Sequence, residues 1–258
     1  MSHNMKKRFG QNFLRDKNLL AAIVKDAGIT KEDEVLEIGA GEGALTKELS
    51  LAAKKVVSYE IDADLIPTLK GLGLPNVEFN FTDALKTDIT EIENKFLEQY
   101  KLVANLPYYI TTPLLFKFLE DATKVTSLTV MVQKEVAERI VATDGKDYGI
   151  LSVMIAFYGS AEIKRNVGRQ MFYPAPNVDS AIVRIDIDRN KFADIDKEKF
   201  SKLIRAAFAM RRKTLNNNLS KLIDKVTLNS KLEPNLLQKR AEELKLFDFI
   251  EIYKKLFN

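Results

Sequence analysis

The sequence contains no cysteine and a single histidine, His3. Without thiols the chain forms neither disulfides nor thiolate metal sites, and it has no cysteine nucleophile. One histidine near the start of the chain leaves no basis for imidazole acid–base catalysis or for a zinc site. The composition therefore predicts a protein without a metal centre.

Long apolar runs are also missing. No stretch approaches the roughly 18 uncharged apolar residues of a membrane-spanning helix, and the polar, basic N-terminus lacks the apolar core of a signal peptide. We therefore expect a cytoplasmic protein. The 258 residues are enough for one α/β domain and a smaller second domain.

Basic residues are concentrated near the C-terminus. Residues 189–258 contain 17 Lys and Arg against 9 Asp and Glu, whereas residues 1–188 contain 23 against 27. Such asymmetry is typical of a phosphate-binding module attached to a catalytic domain, although a solvated helical surface can also be basic. The periodicity is helical from residue 196 onward, so we predict a first domain over 1–188 and a small all-helical domain over 189–258.

A glycine-rich loop follows the first strongly predicted strand, at residues 34–46. Gly39, Gly41 and Gly43 alternate between a β-rich run and a helical segment, and glycine suits a backbone with positive φ or a close ligand. The spacing departs from the dinucleotide fingerprint, and the acid at Glu37 would repel a pyrophosphate. The loop favours a ligand with a nucleoside and a cationic centre.

Acidic side chains end the next two predicted strands. Glu60 comes about 20 residues after the glycine loop, where an acid of this fold class hydrogen-bonds ribose hydroxyls. Asp83 ends the following strand, where a carboxylate can accept the amine of an adenine. The repeated units predict a doubly wound, mostly parallel α/β sheet, with residues 161–167 and 179–187 as an antiparallel pair at its edge.

The next predicted strand ends in Asn105-Leu106-Pro107-Tyr108. An apolar run that stops at an Asn and a Pro indicates a buried strand that brings a rigid turn to the sheet edge. Such a turn offers a planar base a carboxamide oxygen, backbone carbonyls and an aromatic ring. The alternative is a plain strand-end turn with Asn as a local cap.

Residues 112–119 and 172–178 are the next segments with a clear sequence signal. We expect a helix over 112–119 with Pro113 near its first position. Residues 172–178 are predicted to form a stiff, Pro-rich loop, in which Phe172 either packs in the core or stacks on a base.

Motifs that occur in order along essentially the whole chain lie at residues 11–14, 37–46, 105–108, 132–137, 172–180 and 211–215. Together they resemble the ribosomal RNA adenine dimethyltransferase family, and more closely its small-subunit, kasugamycin-related branch. Two departures are small: Thr82 stands where Gly is commoner, and Glu42 is unusual in the glycine loop. Neither changes the expected cofactor site.

The resemblance implies a Rossmann-like class I methyltransferase with S-adenosylmethionine as its cofactor. The implied substrate is a pair of adjacent adenosines near the 3′ end of 16S rRNA in the small ribosomal subunit, with a role in subunit biogenesis. We expect a monomer without a membrane or metal partner.

The resemblance also assigns roles to the residues that match the family's motifs. Asn12 and Leu14 would contact the methionine side of the cofactor, and the backbone at Gly39 and Gly41 would approach it closely. Glu60 would hold the ribose, Asp83 the adenine amine, and Asn105 would lie next to the transferred methyl group.

The target adenine would be held by the tetrapeptide. The side-chain oxygen of Asn105 and the carbonyl of Leu106 or Pro107 would accept the two hydrogens of the amine, and this requires no strong base. Tyr108 and Phe172 would sandwich the extruded base.

The basic turn of the helical domain completes the set of candidate residues. Arg211, Arg212 and Lys213 would contact rRNA phosphates, or they would instead pair with acids such as Glu242 and Glu243.

Two other functions remain open. A large-subunit 23S rRNA adenine methyltransferase of the macrolide-resistance type shares most motifs, but the Leu in the tetrapeptide and the basic helical domain argue against it. A non-catalytic RNA- or DNA-binding factor would not need an intact set of Glu60, Asp83 and Asn105.

Overall fold

The computed structural model describes residues 13–14 and 16–257. Their contacts divide the chain into two compact units. The first runs up to Ala137 and includes Ala161–Ile187, and the second contains Glu138–Ser160 and the chain from Asp188 onward. Residues 138–160 therefore lie in the second unit, although the sequence analysis grouped them with the first domain. The assignment of functions to 1–188 and 189–258 stays a prediction.

The first unit is built on a seven-stranded sheet and a separate two-stranded pair. The strands are β1 (Phe13–Leu14), β2 (Glu34–Ile38), β3 (Lys55–Tyr59), β4 (Val77–Asn80), β5 (Tyr100–Asn105), β6 (Val125–Gln133), β7 (Gly159–Val167), β8 (Phe172–Tyr173) and β9 (Ser180–Ile187). The large sheet has the order β4-β3-β2-β5-β6-β9-β7. Its first five strands are parallel and β9 runs antiparallel to β6, which confirms the predicted fold class.

Helices connect the parallel strands, as parallel pairing requires. The connecting helices are α2 (Ala44–Ala52), α3 (Ile66–Lys70), α4 (Ile89–Glu93) and α5 (Tyr108–Glu120), whereas α1 (Lys17–Asp26) precedes β2 and α6 (Lys134–Val141) follows β6. The central strands are largely apolar and buried, and every residue of β2 is buried, including its two glutamates. Burial on both faces is typical of a parallel sheet covered by crossover helices.

The register of the parallel strands sets where the candidate residues meet. Ile38 pairs with Tyr59 and with Ala104, and Tyr59 pairs with Asn80. The carboxyl ends of β2, β3, β4 and β5 therefore lie at one edge of the sheet. In a doubly wound fold this edge is where ligands bind.

Helix α5 begins earlier than the sequence predicted. Pro107 is its N-cap residue, with φ −56° and ψ 133°, and Tyr108 is its first residue. The expected start near Pro113 is wrong, because Pro113 lies inside the helix. An interior proline removes one helical hydrogen bond, but the fixed φ of Pro107 has already set the start.

The segment after residue 171 forms more regular structure than the predicted loop. Phe172 and Tyr173 form β8, which pairs antiparallel with β1 in the register Phe13 with Tyr173 and Leu14 with Phe172. The peptide bond from Tyr173 to Pro174 is cis. Phe172 packs in the buried cluster that contains Leu14.

The second unit is helical. It contains α7 (Ile150–Tyr158), α8 (Lys197–Ala207), α9 (Leu215–Leu219), α10 (Lys225–Lys231), α11 (Pro234–Gln238) and α12 (Leu246–Phe257). Phe157 of α7 stacks on Phe200 of α8, with ring centroids 4.1 Å apart. Within the described chain, no helix has the length and apolar character needed to cross a bilayer.

Candidate functional site

A cavity of about 230 Å³ opens at the carboxyl ends of the parallel strands, within the first unit. Most of the predicted site residues line it: Leu14, Gly39, Gly41, Glu60, Asp83, Asn105, Leu106, Pro107, Tyr108 and Phe172. Asn12 lies outside the described residues. We call Gly39, Gly41, Glu60 and Asp83 the acidic wall, and Asn105, Leu106, Pro107 and Tyr108 the tetrapeptide wall.

The glycine loop of the acidic wall needs glycine for two separate reasons. Gly39 and Gly41 have φ of +84° and +56°, a region that side chains disfavour. A Cβ atom on Gly39 would lie 3.3 Å from the carbonyl oxygen of Asn105, and one on Gly41 would lie 3.0 Å from the ring of Phe13. The loop therefore reaches the end of β5 only because side chains are absent.

Glu60 is held by backbone groups on both carboxylate oxygens. Its Oε2 accepts the N–H of Gly41 at 2.8 Å, and its Oε1 accepts the N–H of Asp62 at 2.8 Å. Burial raises its pKa, although these two hydrogen bonds act in the opposite direction. Each oxygen retains a lone pair toward the cavity, because a carboxylate accepts about four hydrogen bonds. This arrangement suits the binding of vicinal hydroxyls.

Asp83 follows β4 and is positioned by its own loop. Its Oδ1 accepts the N–H of Leu85 at 3.0 Å. Its Oδ2 lies 3.8 Å from the ammonium group of Lys86, whose side chain is 85% exposed. Such an exposed ion pair contributes little to stability. The carboxylate is therefore fixed in position and keeps acceptor capacity at the cavity.

A second carboxylate, Glu37, lies beneath the glycine loop and is fully buried. Its Oε2 accepts the hydroxyls of Thr46 and Ser58, each at 2.6 Å, while Oε1 has no hydrogen-bond partner among the described residues. Burial raises the pKa of Glu37 to about 7, against the effect of the two hydroxyls. Since Glu37 does not line the cavity, its role is to tie β2, β3 and α2 together.

The tetrapeptide wall presents polar acceptor atoms at the cavity. Neither the Asn105 carboxamide nor the Leu106 carbonyl has a hydrogen-bond partner in the part of the chain that the structure describes. The carbonyl of Pro107 accepts the N–H of Ile110 at 3.1 Å in the first turn of α5. Of the two carbonyls that the sequence left open, that of Leu106 therefore has both lone pairs available within the described chain, whereas that of Pro107 keeps one.

The aromatic residues at the cavity differ in exposure. The hydroxyl of Tyr108 is hydrogen-bonded to the hydroxyl of Ser180 at 2.8 Å, and burial raises its pKa. Phe172 is only 6% exposed, whereas its neighbour Tyr173 is 58% exposed. Tyr109 also lines the cavity and is 62% exposed. The predicted stacking pair thus consists of two rings fixed by the fold.

The sequence analysis did not single out Ser180 or Tyr109. Ser180 begins β9 directly beside the last residues of β6, and its bond to Tyr108 joins segments 72 residues apart. Such a tertiary contact has no local sequence pattern. Tyr109 directly follows the tetrapeptide, so a second aromatic residue at the start of α5 was the available signal.

The three basic residues predicted to bind RNA lie in the second unit, on the exposed turn between α8 and α9. Arg211 is paired: its Nε donates to Glu242 at 3.0 Å and its Nη2 donates to the carbonyl of Lys146 at 2.9 Å. The side chains of Arg212 and Lys213 have no ion-pair partner among the residues described. The turn thus contains one structural and two unpaired cations.

Asn218 holds this turn in place by hydrogen bonds to its backbone. Its Nδ2 donates to the carbonyls of Ala207 and Met210 at 2.7 and 3.1 Å, and the residue is 1% exposed. The first bond satisfies a carbonyl at the end of α8 that has no helical partner, and the second holds the turn that follows this helix.

A search of residues 13–14 and 16–257 finds no group of three or more His, Cys, Asp or Glu side chains arranged to hold a metal ion.

Comparisons of sequence agree with this geometry. The family model described as "Ribosomal RNA adenine dimethylase" matches residues 2–256. Proteins named "Ribosomal RNA small subunit methyltransferase A" from Oceanobacillus iheyensis and Clostridioides difficile are each 43% identical to this chain. The matches cover 96% and 98% of this chain and 88% and 90% of those proteins.

Solved structures with the same fold cover nearly the whole chain. A dimethyladenosine transferase from Plasmodium falciparum has a TM-score of 0.78 and 29% identity, covering 93% of this chain and 95% of that one. The 23S rRNA methyltransferase ErmE has a TM-score of 0.72 and 27% identity, covering 96% and 100%. Motifs, cavity and full-length matches agree, and the chain belongs to the ribosomal RNA adenine dimethylase family.

Proposed function

We propose that this protein transfers methyl groups from S-adenosylmethionine to the N6 amines of two adjacent adenosines near the 3′ end of 16S rRNA, during small-subunit biogenesis. The observation that carries this proposal is a pair of acceptors at the end of β5, the Asn105 carboxamide and the Leu106 carbonyl. Among the described residues they have no hydrogen-bond partner, and they line the same cavity as the acidic wall. The relatives named as small-subunit methyltransferases, at 43% identity, favour this substrate over 23S rRNA.

The residues of the acidic wall fit the proposed cofactor. Glu60 would accept the ribose hydroxyls with the lone pairs that Gly41 and Asp62 leave free, and Asp83 would accept the adenine amine. Glycine keeps the backbone of this loop bare where it lines the cavity, and a Cβ on Gly39 or Gly41 would come within 3.0–3.3 Å of the Asn105 carbonyl or the Phe13 ring. Leu14 would cover the methionine side, and Asn12 would join it there.

The tetrapeptide wall would orient the nucleophile. An adenine amine is a weak nucleophile because its lone pair is delocalised into the ring. When the Asn105 oxygen and the Leu106 carbonyl accept its two hydrogens, the nitrogen is held with its lone pair directed across the cavity. The bound cofactor would supply an activated methyl group on its sulfonium, so a strong base at the site is not needed.

Stacking would hold the extruded base in place. Tyr108 is oriented by its hydrogen bond to Ser180, and Phe172 is fixed by the β1–β8 pair and by packing. Enzymes that act on bases in RNA or DNA generally read the extruded base by such stacking. Pro107 would shape this pocket by fixing the backbone direction into α5.

The basic turn would bind the phosphates of the substrate RNA. Arg212 and Lys213 are exposed and unpaired among the described residues, whereas Arg211 is engaged by Glu242. We therefore propose that Arg212 and Lys213 make the direct phosphate contacts and that Arg211 mainly shapes the turn.

One experiment tests the substrate. Purified protein and labelled S-adenosylmethionine are incubated with unmethylated small subunits, with large subunits and with DNA, and the products are digested to nucleosides. We expect N6,N6-dimethyladenosine from small subunits only, at two adjacent positions. Label in 23S rRNA would favour the macrolide-resistance reaction, and binding without any label would favour a non-catalytic factor.

Two further proposals concern the state of the protein. We propose that it acts as a monomer in the cytoplasm, where the proposed substrate is assembled. Light scattering of the purified protein should then give the mass of one chain, and a dimer mass at working concentration would contradict the proposal.

A further inference from the structure

Helix α5 carries a lysine whose ammonium group lies under the loop that presents Asp83. Lys117 Nζ donates to the carbonyl of Ala84 at 2.9 Å and to that of Leu85 at 3.0 Å, and it also donates to the carbonyl of Thr87. An ammonium has three donors and no acceptor, so these bonds use its full capacity.

The three carbonyls converge because the loop is tightly turned. The carbonyl of Asp83 accepts the N–H groups of Lys86 and Thr87, each at 3.0 Å, and also the Thr87 hydroxyl. This turn directs the other carbonyls toward one point below the loop. Without a cation there, the converging dipoles would repel one another and compete for water.

Lys117 also connects this loop to the tetrapeptide wall. It belongs to the helix that begins at Tyr108, and its partners lie 30–33 residues earlier in the chain. Ala84 and Leu85 line the cavity, and the N–H of Leu85 holds the Asp83 carboxylate. A shift of the loop would therefore move the carboxylate that faces the ligand.

We propose that Lys117 is a positioning residue for the cofactor: its ammonium group holds residues 84–87 in the conformation that places Asp83 at the adenine. This inference rests on the proposed function. The ammonium is partly buried, and burial lowers its pKa although Asp83, Asp88 and Asp121 act in the opposite direction.

The absence of native cysteine allows a reversible test of this role. Lys117→Cys removes the ammonium, and alkylation of the new thiol with 2-bromoethylamine restores an ammonium on a side chain of lysine length. The probe is S-adenosylhomocysteine, whose affinity is measured by calorimetry. If the loop keeps its binding geometry about a tenth of the time, the apparent affinity falls about tenfold. We expect this loss in the variant and its recovery after alkylation.

Lys124 provides a matched control in the same unit. Its Nζ donates to the carbonyls of Glu93 and Phe96, both at 3.1 Å, at a loop that does not line the cavity. Lys124→Cys should leave the affinity for S-adenosylhomocysteine unchanged. Equal loss in the two variants would overturn the inference, because it would indicate a general loss of stability.

Hydrogen exchange supplies a measurement that needs no ligand. Amides in residues 84–88 should exchange faster in Lys117→Cys and slow again after alkylation, whereas the rest of the sheet should be unaffected. Lys117→Arg, which keeps the charge but donates from a planar group, should be intermediate in both measurements and serves if the cysteine variant does not fold.

The results separate this inference from the proposed function. If the unmodified protein failed to bind S-adenosylhomocysteine, the proposed function would be contradicted, and loop exchange alone would decide the role of Lys117. Unchanged exchange, or unchanged affinity in a protein that does bind, would overturn the inference.

Discussion

On the acidic wall each carboxylate already accepts backbone N–H groups, whereas on the tetrapeptide wall the Asn105 carboxamide and the Leu106 carbonyl have no partner among the described residues. The first wall therefore has its binding geometry before any ligand arrives. The acceptors of the second wall remain available to a substrate. This difference suggests that one wall binds and the other orients the reacting group.

The largest expected effect comes from the tetrapeptide wall. Asn105→Ala removes an acceptor aimed at the reacting amine, so we expect the rate of methyl transfer to fall about 100-fold or more. Single-turnover methylation of small subunits at saturating cofactor measures this rate. Asn80→Ala is the matched control, because Asn80 also ends a parallel strand of the sheet, β4, and does not line the cavity. A wild-type rate for Asn105→Ala would contradict its proposed role as an acceptor for the reacting amine.

The support beneath the acidic wall should make stability depend on pH. Because burial raises the pKa of Glu37 to about 7, the folded protein holds this proton more tightly than the unfolded chain. The stabilisation is therefore present at low pH and is lost as the pH rises through about 7. Between about pH 5 and about pH 8 the loss is at most about 3 kcal/mol.

Urea unfolding of Glu37→Gln at both pH values tests this sign. The variant cannot titrate at this position, so its stability should fall less than that of the wild type over the same range. Glu32→Gln, an exposed substitution, should follow the wild type. A wild-type pH profile for Glu37→Gln would show that Glu37 does not titrate in this range.

A third change tests the aromatic partner of the tetrapeptide wall. Phe172→Leu keeps most of the buried volume and removes the ring, whereas Phe172→Ala would also cost about 3–5 kcal/mol of stability. Loss of one base stack corresponds to about 1–3 kcal/mol, or roughly 5-fold to 150-fold in kcat/KM for RNA. Phe96→Leu is a buried control distant from the cavity. Equal kcat/KM in both variants would remove Phe172 from the site.

The smallest effect is expected in the second unit, where a change should leave both walls intact. Replacing Arg212 and Lys213 with Gln should weaken subunit binding and reduce the dependence of log affinity on log salt by about 1 for each lost phosphate contact. Arg211→Gln should instead leave this slope unchanged, since Arg211 is paired with Glu242. Parallel filter-binding titrations at several salt concentrations measure the slope of log affinity against log salt for each variant. Equal slopes in all variants would contradict the proposed phosphate contacts.

The ends of the parallel strands could be predicted from the sequence because the signal for each is a short local pattern. Apolar runs that end in Gly39, Glu60, Asp83 and Asn105 predicted both the parallel sheet and the edge where these residues meet. Burial on both faces makes such strands nearly continuous apolar segments.

Other features depend on partners distant in sequence and could not be predicted in this way. The β1–β8 pair has two residues in each strand, too few for a periodic pattern. Two prolines near α5 left its start ambiguous, and the non-helical ψ of 133° at Pro107 places the first helical residue at Tyr108. The role proposed for Lys117 follows from contacts across 30 or more residues. For Arg211 the sequence offered both RNA contact and pairing with Glu242, and only the folded chain shows that this pair forms.

The most direct test of the difference between the two walls is the affinity for S-adenosylhomocysteine of Glu60→Gln and Asn105→Ala, measured by calorimetry. A carboxylate that holds hydroxyls by charged hydrogen bonds contributes about 1.5–3 kcal/mol, so Glu60→Gln should bind about 10-fold to 150-fold more weakly. Asn105→Ala should bind within a few-fold of the wild type. Equal losses in the two variants would contradict the separation of binding and orientation between the walls.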